Sequence, residues 1–217
     1  AADVLEALGV NLNTSDAQIE RCFERAGAAF LFAPSHHSAM KHVAPVRKVL
    51  GIRTIFNLLG PLANPAGARR QVLGVFSESW VIPYARALHE LGVERAWVVH
   101  GRDGLDEIST TATTVVAEAT PDGVRTFELE PDAFGVERGS LDQLRGGPPA
   151  ENAAAVLDVL RGEPGPFADL VAVNAAATLV VAGKAADVRE GVVLARDAIA
   201  SGRALAAFEA LKAASHD

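Results

Sequence analysis

Between residues 71 and 99 two short apolar runs flank one amphipathic stretch, and no other pattern constrains the fold as much. Residues 71–76 and 95–99 are short and valine-rich, which predicts strands, while residues 78–91 carry a helical period. Strand, helix and strand in succession form a crossover unit, which makes the two strands parallel and the connection right-handed. Open sheets built this way bind ligands beyond the carboxyl ends of their strands. Directly after the second run the chain reads H-G-R-D-G-L-D-E, residues 100–107. Asp106 and Glu107 are hard oxygen donors, suited to Mg²⁺ that also holds substrate phosphates. On spacing alone, a D-G turn followed by solvated acids is the simpler reading.

The rest of the chain predicts more helix than sheet. Ser15-Asp16-Ala17-Gln18 matches a capping box, opening a helix expected to bury Ile19, Cys22 and Phe23 and to stop near Gly27. Residues 30–32 are a strand candidate. Residues 37–50 have helical character, kinked or restarted at Pro45. Residues 54–59 form a short apolar run closed by the breakers Gly60-Pro61 and Asn64-Pro65. Residues 113–118 and 124–128 flank Pro121-Asp122-Gly123, a hairpin signature. After a polar, Gly/Pro-rich stretch at 138–149, helices are predicted over 150–160, 167–181, 188–200 and 205–213. Asn152 and Asn174 fall inside apolar helical patterns, where a buried amide needs hydrogen-bond partners. The expected fold is α/β: a mixed, largely parallel sheet with flanking helices and a helical C-terminal layer.

Composition narrows the function. With 217 residues, 49% of them hydrophobic, the chain can bury a real core. A net charge of −7 argues against nucleic acid as a partner, and any phosphate site would need metal ions or local basic groups. Cys22 is the only cysteine, which rules out an intrachain disulfide or thiolate zinc cluster and suits a reducing, cytoplasmic setting. No H-E-x-x-H spacing occurs. The longest weakly polar stretch, 170–183, is interrupted by Asn174 and too short to span a bilayer, so no membrane partner is expected. The start has helical spacing, a stop at Gly9, no basic leader and no initiator Met, which reads as the interior of a longer chain.

Four stretches in order are more specific than any one alone: A-D-V-L-E-A-L-G-V (2–10), L-F-A-P-S-H-H-S-A-M-K-H-V-A-P-V-R (31–47), F-N-L-L-G-P-L-A-N-P (56–65) and H-G-R-D-G-L-D-E (100–107). With A-E-N at 150–152 and N-A-A-A at 174–177, they resemble the anthranilate phosphoribosyltransferase family. The resemblance implies the nucleoside phosphorylase/phosphoribosyltransferase fold and a reaction joining anthranilate to phosphoribosyl pyrophosphate (PRPP), with loss of pyrophosphate, in tryptophan biosynthesis. It places Asp106 and Glu107 at the family's Mg²⁺ pair, and Arg47 at the anthranilate carboxylate, where a guanidinium grips bidentately. Pro34, His37 and Met40 fall along the anthranilate access path, and Gly60 shapes a loop beneath the ring. As a lone residue Arg47 would read as a solvated helical arginine, Met40 as core filler and His37 as a surface residue. No side chain is assigned as acid or base.

Departures matter as well. The family's G-T-G-G-D phosphate cradle and K-H-G-N segment occur nowhere in these 217 residues, and in the family both precede the matching region. The resemblance therefore implies one incomplete α/β catalytic domain over 1–217, inactive alone, with most of the small helical domain of the family homodimer absent. Ser38 stands where proline is usual, and Pro148-Pro149 replaces a more polar pair. Two alternatives remain: a pyrimidine nucleoside phosphorylase of the same fold, and a non-catalytic nucleic-acid-binding paralogue. A nucleobase offers no carboxylate for Arg47, and the −7 charge disfavours nucleic acid.

Overall fold

The computed structural model describes residues 2–32, 36, 60 and 62–217. In chain order its helices are α1 (Ala2–Ala7), α2 (Asp16–Ala26), α3 (Val81–Glu90), α4 (Pro149–Leu160), α5 (Pro166–Val181), α6 (Val188–Ala200) and α7 (Arg203–Ala214). Its strands are β1 (Arg70–Gly74), β2 (Arg95–Gly101), β3 (Thr114–Thr120) and β4 (Gly123–Leu129). Among the described residues no helix is long and apolar enough to cross a membrane. The chain divides into two compact units.

The first unit comprises Ala1–Pro65, Gly146–Gly162 and Ile199–Asp217. Here α2 packs on α7, and α1 on α4. The capping box at the head of α2 forms as the sequence predicts: the Gln18 N–H donates to the Ser15 side chain, and the Ser15 N–H to Gln18 Oε1. Gly27 ends the helix in the left-handed region, at φ 69°. Ile19 and Cys22 are buried, but Phe23 is 46% exposed, contrary to expectation. The buried stripe runs through positions 19 and 22, and Phe23 lies on the flank away from Cys22. Asn152 pairs with both backbone groups of Gly147, accepting its N–H and donating to its carbonyl, each at 2.8 Å.

The second unit, Ala66–Arg145 and Glu163–Ala198, holds the sheet, in order β1-β2-β3-β4. The sheet corrects the expectation of a largely parallel arrangement. Only β1 and β2 are parallel, while β2–β3 and β3–β4 are antiparallel. Connection length explains this: α3 carries the chain back between β1 and β2, whereas a loop without a helical crossover joins β2 to β3. Pro121 and Asp122 alone join β3 to β4, forming the predicted hairpin. Residues 30–32 form no strand, and residues 54–59 lie outside the described set.

Both faces of β2 are covered, which is why it reads as a continuous apolar run. Trp97 and Val99 point into a core with Ile108, Phe134, α5 residues Val173 and Ala177, and Val192 of α6. Helix α3, with Val81, Tyr84, Ala85 and Leu88 buried, packs on β2 and β3. Across three strands, the buried Glu118 carboxylate accepts from Arg95 Nε at 2.7 Å, from Trp97 Nε1 at 2.8 Å and from Arg125 Nε. Arg95 and Arg70 also donate to Val180 O and Ala182 O, placing positive charge on carbonyls at the C-terminal end of α5.

Candidate functional site

The acidic pair sits on a tightly tied loop at the carboxyl ends of β1 and β2. His100, 8% exposed, bonds through Nδ1 to Val75 O at 2.7 Å and so joins the two strand ends. The loop then closes on itself: Gly101 N–H donates to Leu105 O, and Gly104 N–H to Gly101 O, both at 2.8 Å. Gly104 takes φ 97°, a backbone region that glycine adopts freely.

Asp103 organises this turn. Its Oδ1 accepts from the Leu105 N–H at 3.2 Å, and its Oδ2 accepts from the hydroxyls of Ser109 and Thr111. Burial alone would raise its pKa. The hydrogen bonds from Ser109, Thr111 and the Leu105 amide outweigh that, so its carboxyl lies below the ordinary value. Ser109 Oγ in turn accepts the N–H groups of Thr111 at 2.9 Å and Ala112 at 3.1 Å, and the Ser109 N–H donates to Thr114 Oγ1 at 2.9 Å. Asp103 is thus committed to structure.

Asp106 is exposed and Glu107 half-buried. Burial pushes Glu107 above the ordinary carboxylate value, and the negative charges of Asp106 and Asp103 push it further. Among the described residues no lysine or arginine forms an ion pair with either Asp106 or Glu107. Two neighbouring carboxylates, one partly desolvated and neither in an ion pair with a described residue, form a donor set that a divalent cation would relieve. Among the described residues no group of three or more His, Cys, Asp or Glu side chains is arranged to hold a metal ion by itself. Two carboxylates nevertheless suit Mg²⁺, which keeps waters and phosphate oxygens as its remaining ligands.

The strand end beneath the pair has no room for a side chain. A Cβ on Gly74 would lie 1.5 Å from the carbonyl oxygen of Asp106. On the other side α5 supplies Asn174, which accepts the Ile108 N–H and donates to the Ile108 carbonyl, each at 2.9 Å. The sequence flagged this amide as needing partners. It carried no sign that they lie 66 positions away.

Of the other predicted residues, Gly60 is described: it is half-buried, and its carbonyl accepts the Ala63 N–H at 3.2 Å. Pro34, His37, Met40 and Arg47 lie outside the described residues. The Asp103–Ser109–Thr111 network and the Gly74 approach were missed. The hydroxyl run at 109–114 and a glycine inside a strand were the available signals.

The model of the glycosyl transferase family, a/b domain, matches residues 1–205. The anthranilate phosphoribosyltransferase of Parvibaculum lavamentivorans is 53% identical over 215 residues, 99% of this chain and 63% of that protein. The corresponding enzyme of Rhodopseudomonas palustris strain TIE-1 is 54% identical, with 99% and 64% covered. Among solved structures, the anthranilate phosphoribosyltransferase of Thermus thermophilus superposes with a TM-score of 0.91 at 47% identity, covering 100% of this chain and 64% of that one. The Saccharomyces cerevisiae enzyme, in complex with PRPP and Mg, gives 0.91 at 32% identity, covering 99% and 62%. The chain thus spans less than two thirds of the length of these relatives.

Proposed function

This chain belongs to the glycosyl transferase family, a/b domain, and from that premise we propose that it carries part of the active site of an anthranilate phosphoribosyltransferase. In that reaction the amino nitrogen of anthranilate bonds to the anomeric carbon of PRPP as the bond from that carbon to the pyrophosphate oxygen breaks. The nitrogen loses its proton to solvent. The observation that carries this reading is the high identity to anthranilate phosphoribosyltransferases along nearly the whole chain.

Asp106 and Glu107 would hold Mg²⁺, which, when bound, neutralises charge developing on the departing pyrophosphate. The chain's own contribution is positional. Asp103, Ser109 and Thr111 hold the loop, and His100 ties it to the strand ends. Arg47 would grip the anthranilate carboxylate, Pro34, His37 and Met40 would lie along the approach of its ring, and Gly60 would shape the loop beneath it.

The test joins the amino-terminal segment of the Parvibaculum enzyme to this chain and measures pyrophosphate release from anthranilate and PRPP. The fusion should turn over in a Mg²⁺-dependent manner and the 217-residue chain alone should not, because it lacks the G-T-G-G-D and K-H-G-N segments. Replacing Asp106 and Glu107 by Ala in the fusion should abolish turnover and preserve the circular dichroism spectrum. Unchanged turnover at limiting Mg²⁺ would refute the metal assignment. Robust turnover by the chain alone would show the essential phosphate contacts to lie within it.

A further inference from the structure

We propose that Asn174 is a positioning residue for the Glu107 carboxylate, holding it in place to bind a divalent cation. The inference rests on the reading that Asp106 and Glu107 form the metal pair. Asn174 lies in α5, where its neighbours Val173, Ala176 and Ala177 are fully buried, so its backbone is anchored in the core. Its amide grips both backbone groups of Ile108 at 2.9 Å, and this fixes the main chain at the residue that follows Glu107. Nδ2 also donates to Leu170 O at 3.0 Å and reaches Glu107 Oε2 at 3.3 Å. Two amide hydrogens therefore serve three acceptors, one of them the proposed ligand carboxylate.

Asn152 provides an internal comparison. It makes the same two-point grip on Gly147 with no hydrogen bond to a carboxylate among the described residues, so the grip alone is a device for holding a loop. The reach to Glu107 sets Asn174 apart. Carboxylates that ligate metals are themselves held by outer hydrogen bonds, and loss of such a partner weakens metal affinity about 10- to 100-fold.

Mn²⁺, a spectroscopic stand-in for Mg²⁺, is titrated into the 217-residue chain, and free Mn²⁺ is followed by electron paramagnetic resonance without substrates. Asn174→Ala should weaken binding about tenfold. Added to Glu107→Gln it should change nothing further, because it acts through that carboxylate. Thr178→Ala, which removes a bond from the same helix to the Asn174 carbonyl, should bind as the parent does. If circular dichroism shows Asn174→Ala unfolded, Asn174→Ser replaces it with the same expectation. Weak binding by Glu107→Gln with parent-like binding by Asn174→Ala would overturn the inference and leave the metal reading standing, as would additive losses in the double variant. Parent-like binding by Glu107→Gln, or no binding by the parent, would overturn both.

Discussion

Gly74→Ala should be among the most damaging single-methyl additions in the second unit. The new Cβ would stand 1.5 Å from the Asp106 carbonyl oxygen and 2.4 Å from its carbon. Both are backbone atoms, so no rotamer relieves the clash. Reaching ordinary contact near 3.5 Å requires strand end and loop to part by roughly 2 Å. Gly74 is held by its parallel pairing with Val99, and the loop by Asn174 and the Gly101–Leu105 bond. Overpacking costs about 1–3 kcal/mol and each broken hydrogen bond about 1 kcal/mol, so the total is roughly 3–5 kcal/mol. For a chain of this size that corresponds to a Tm lower by on the order of 6–20 °C. Gly92→Ala is the control: a Cβ there meets nothing within 4 Å among the described residues, and it should cost only the left-handed backbone penalty of about 1–2 kcal/mol. Thermal unfolding by circular dichroism reads both variants. A Gly74→Ala melting curve superimposable on that of the parent would refute the close approach.

Glu118→Gln keeps the size of the side chain but removes the charge that Arg95 and Arg125 hold, and should cost about 1.5–3 kcal/mol at neutral pH. Burial alone would raise the Glu118 pKa, but hydrogen bonds from Trp97, Arg125 and Arg95 hold it below its ordinary 4.5. The stability difference between parent and variant should therefore be complete above about pH 4.5 and close as the pH falls through the lowered value, as read by urea denaturation across pH. A gap that persisted in acid would show that the charge is not what stabilises. Gly191→Ala sets two effects against each other: helix propensity favours alanine by about 1 kcal/mol, but its Cβ would lie 2.8 Å from Ala176 Cα and Cβ. Overpacking should win by about 1 kcal/mol, and a variant with a raised Tm would show that the helices have room. In the fusion enzyme, Arg47→Ala should weaken anthranilate binding about ten- to a hundredfold and PRPP binding far less. Equal effects on the KM of both substrates would make Arg47 a structural residue.

What the sequence determined by itself is local. The Ser15–Gln18 cap, the two-residue turn at Pro121-Asp122, the crossover from β1 to β2 and the four C-terminal helices were readable because caps, turns and periodicity act over a few residues. The acidic pair was likewise legible as a loop following β2, since a short apolar run and a D-G turn mark the place. Only the tertiary structure decided that β2 and β3 also pair antiparallel, which makes two of the three pairings antiparallel. Periodicity tells which side of a strand is apolar and nothing about which neighbour lies beside it. The same limit explains Phe23, whose exposure depends on where α7 packs, and Gly74, whose lack of a side chain matters only because Asp106 crosses over it. Asn174 shows the division most clearly. Its helical pattern announced an amide in need of partners, but those partners belong to a loop 66 residues earlier, brought within hydrogen-bonding distance only when α5 packs against the sheet.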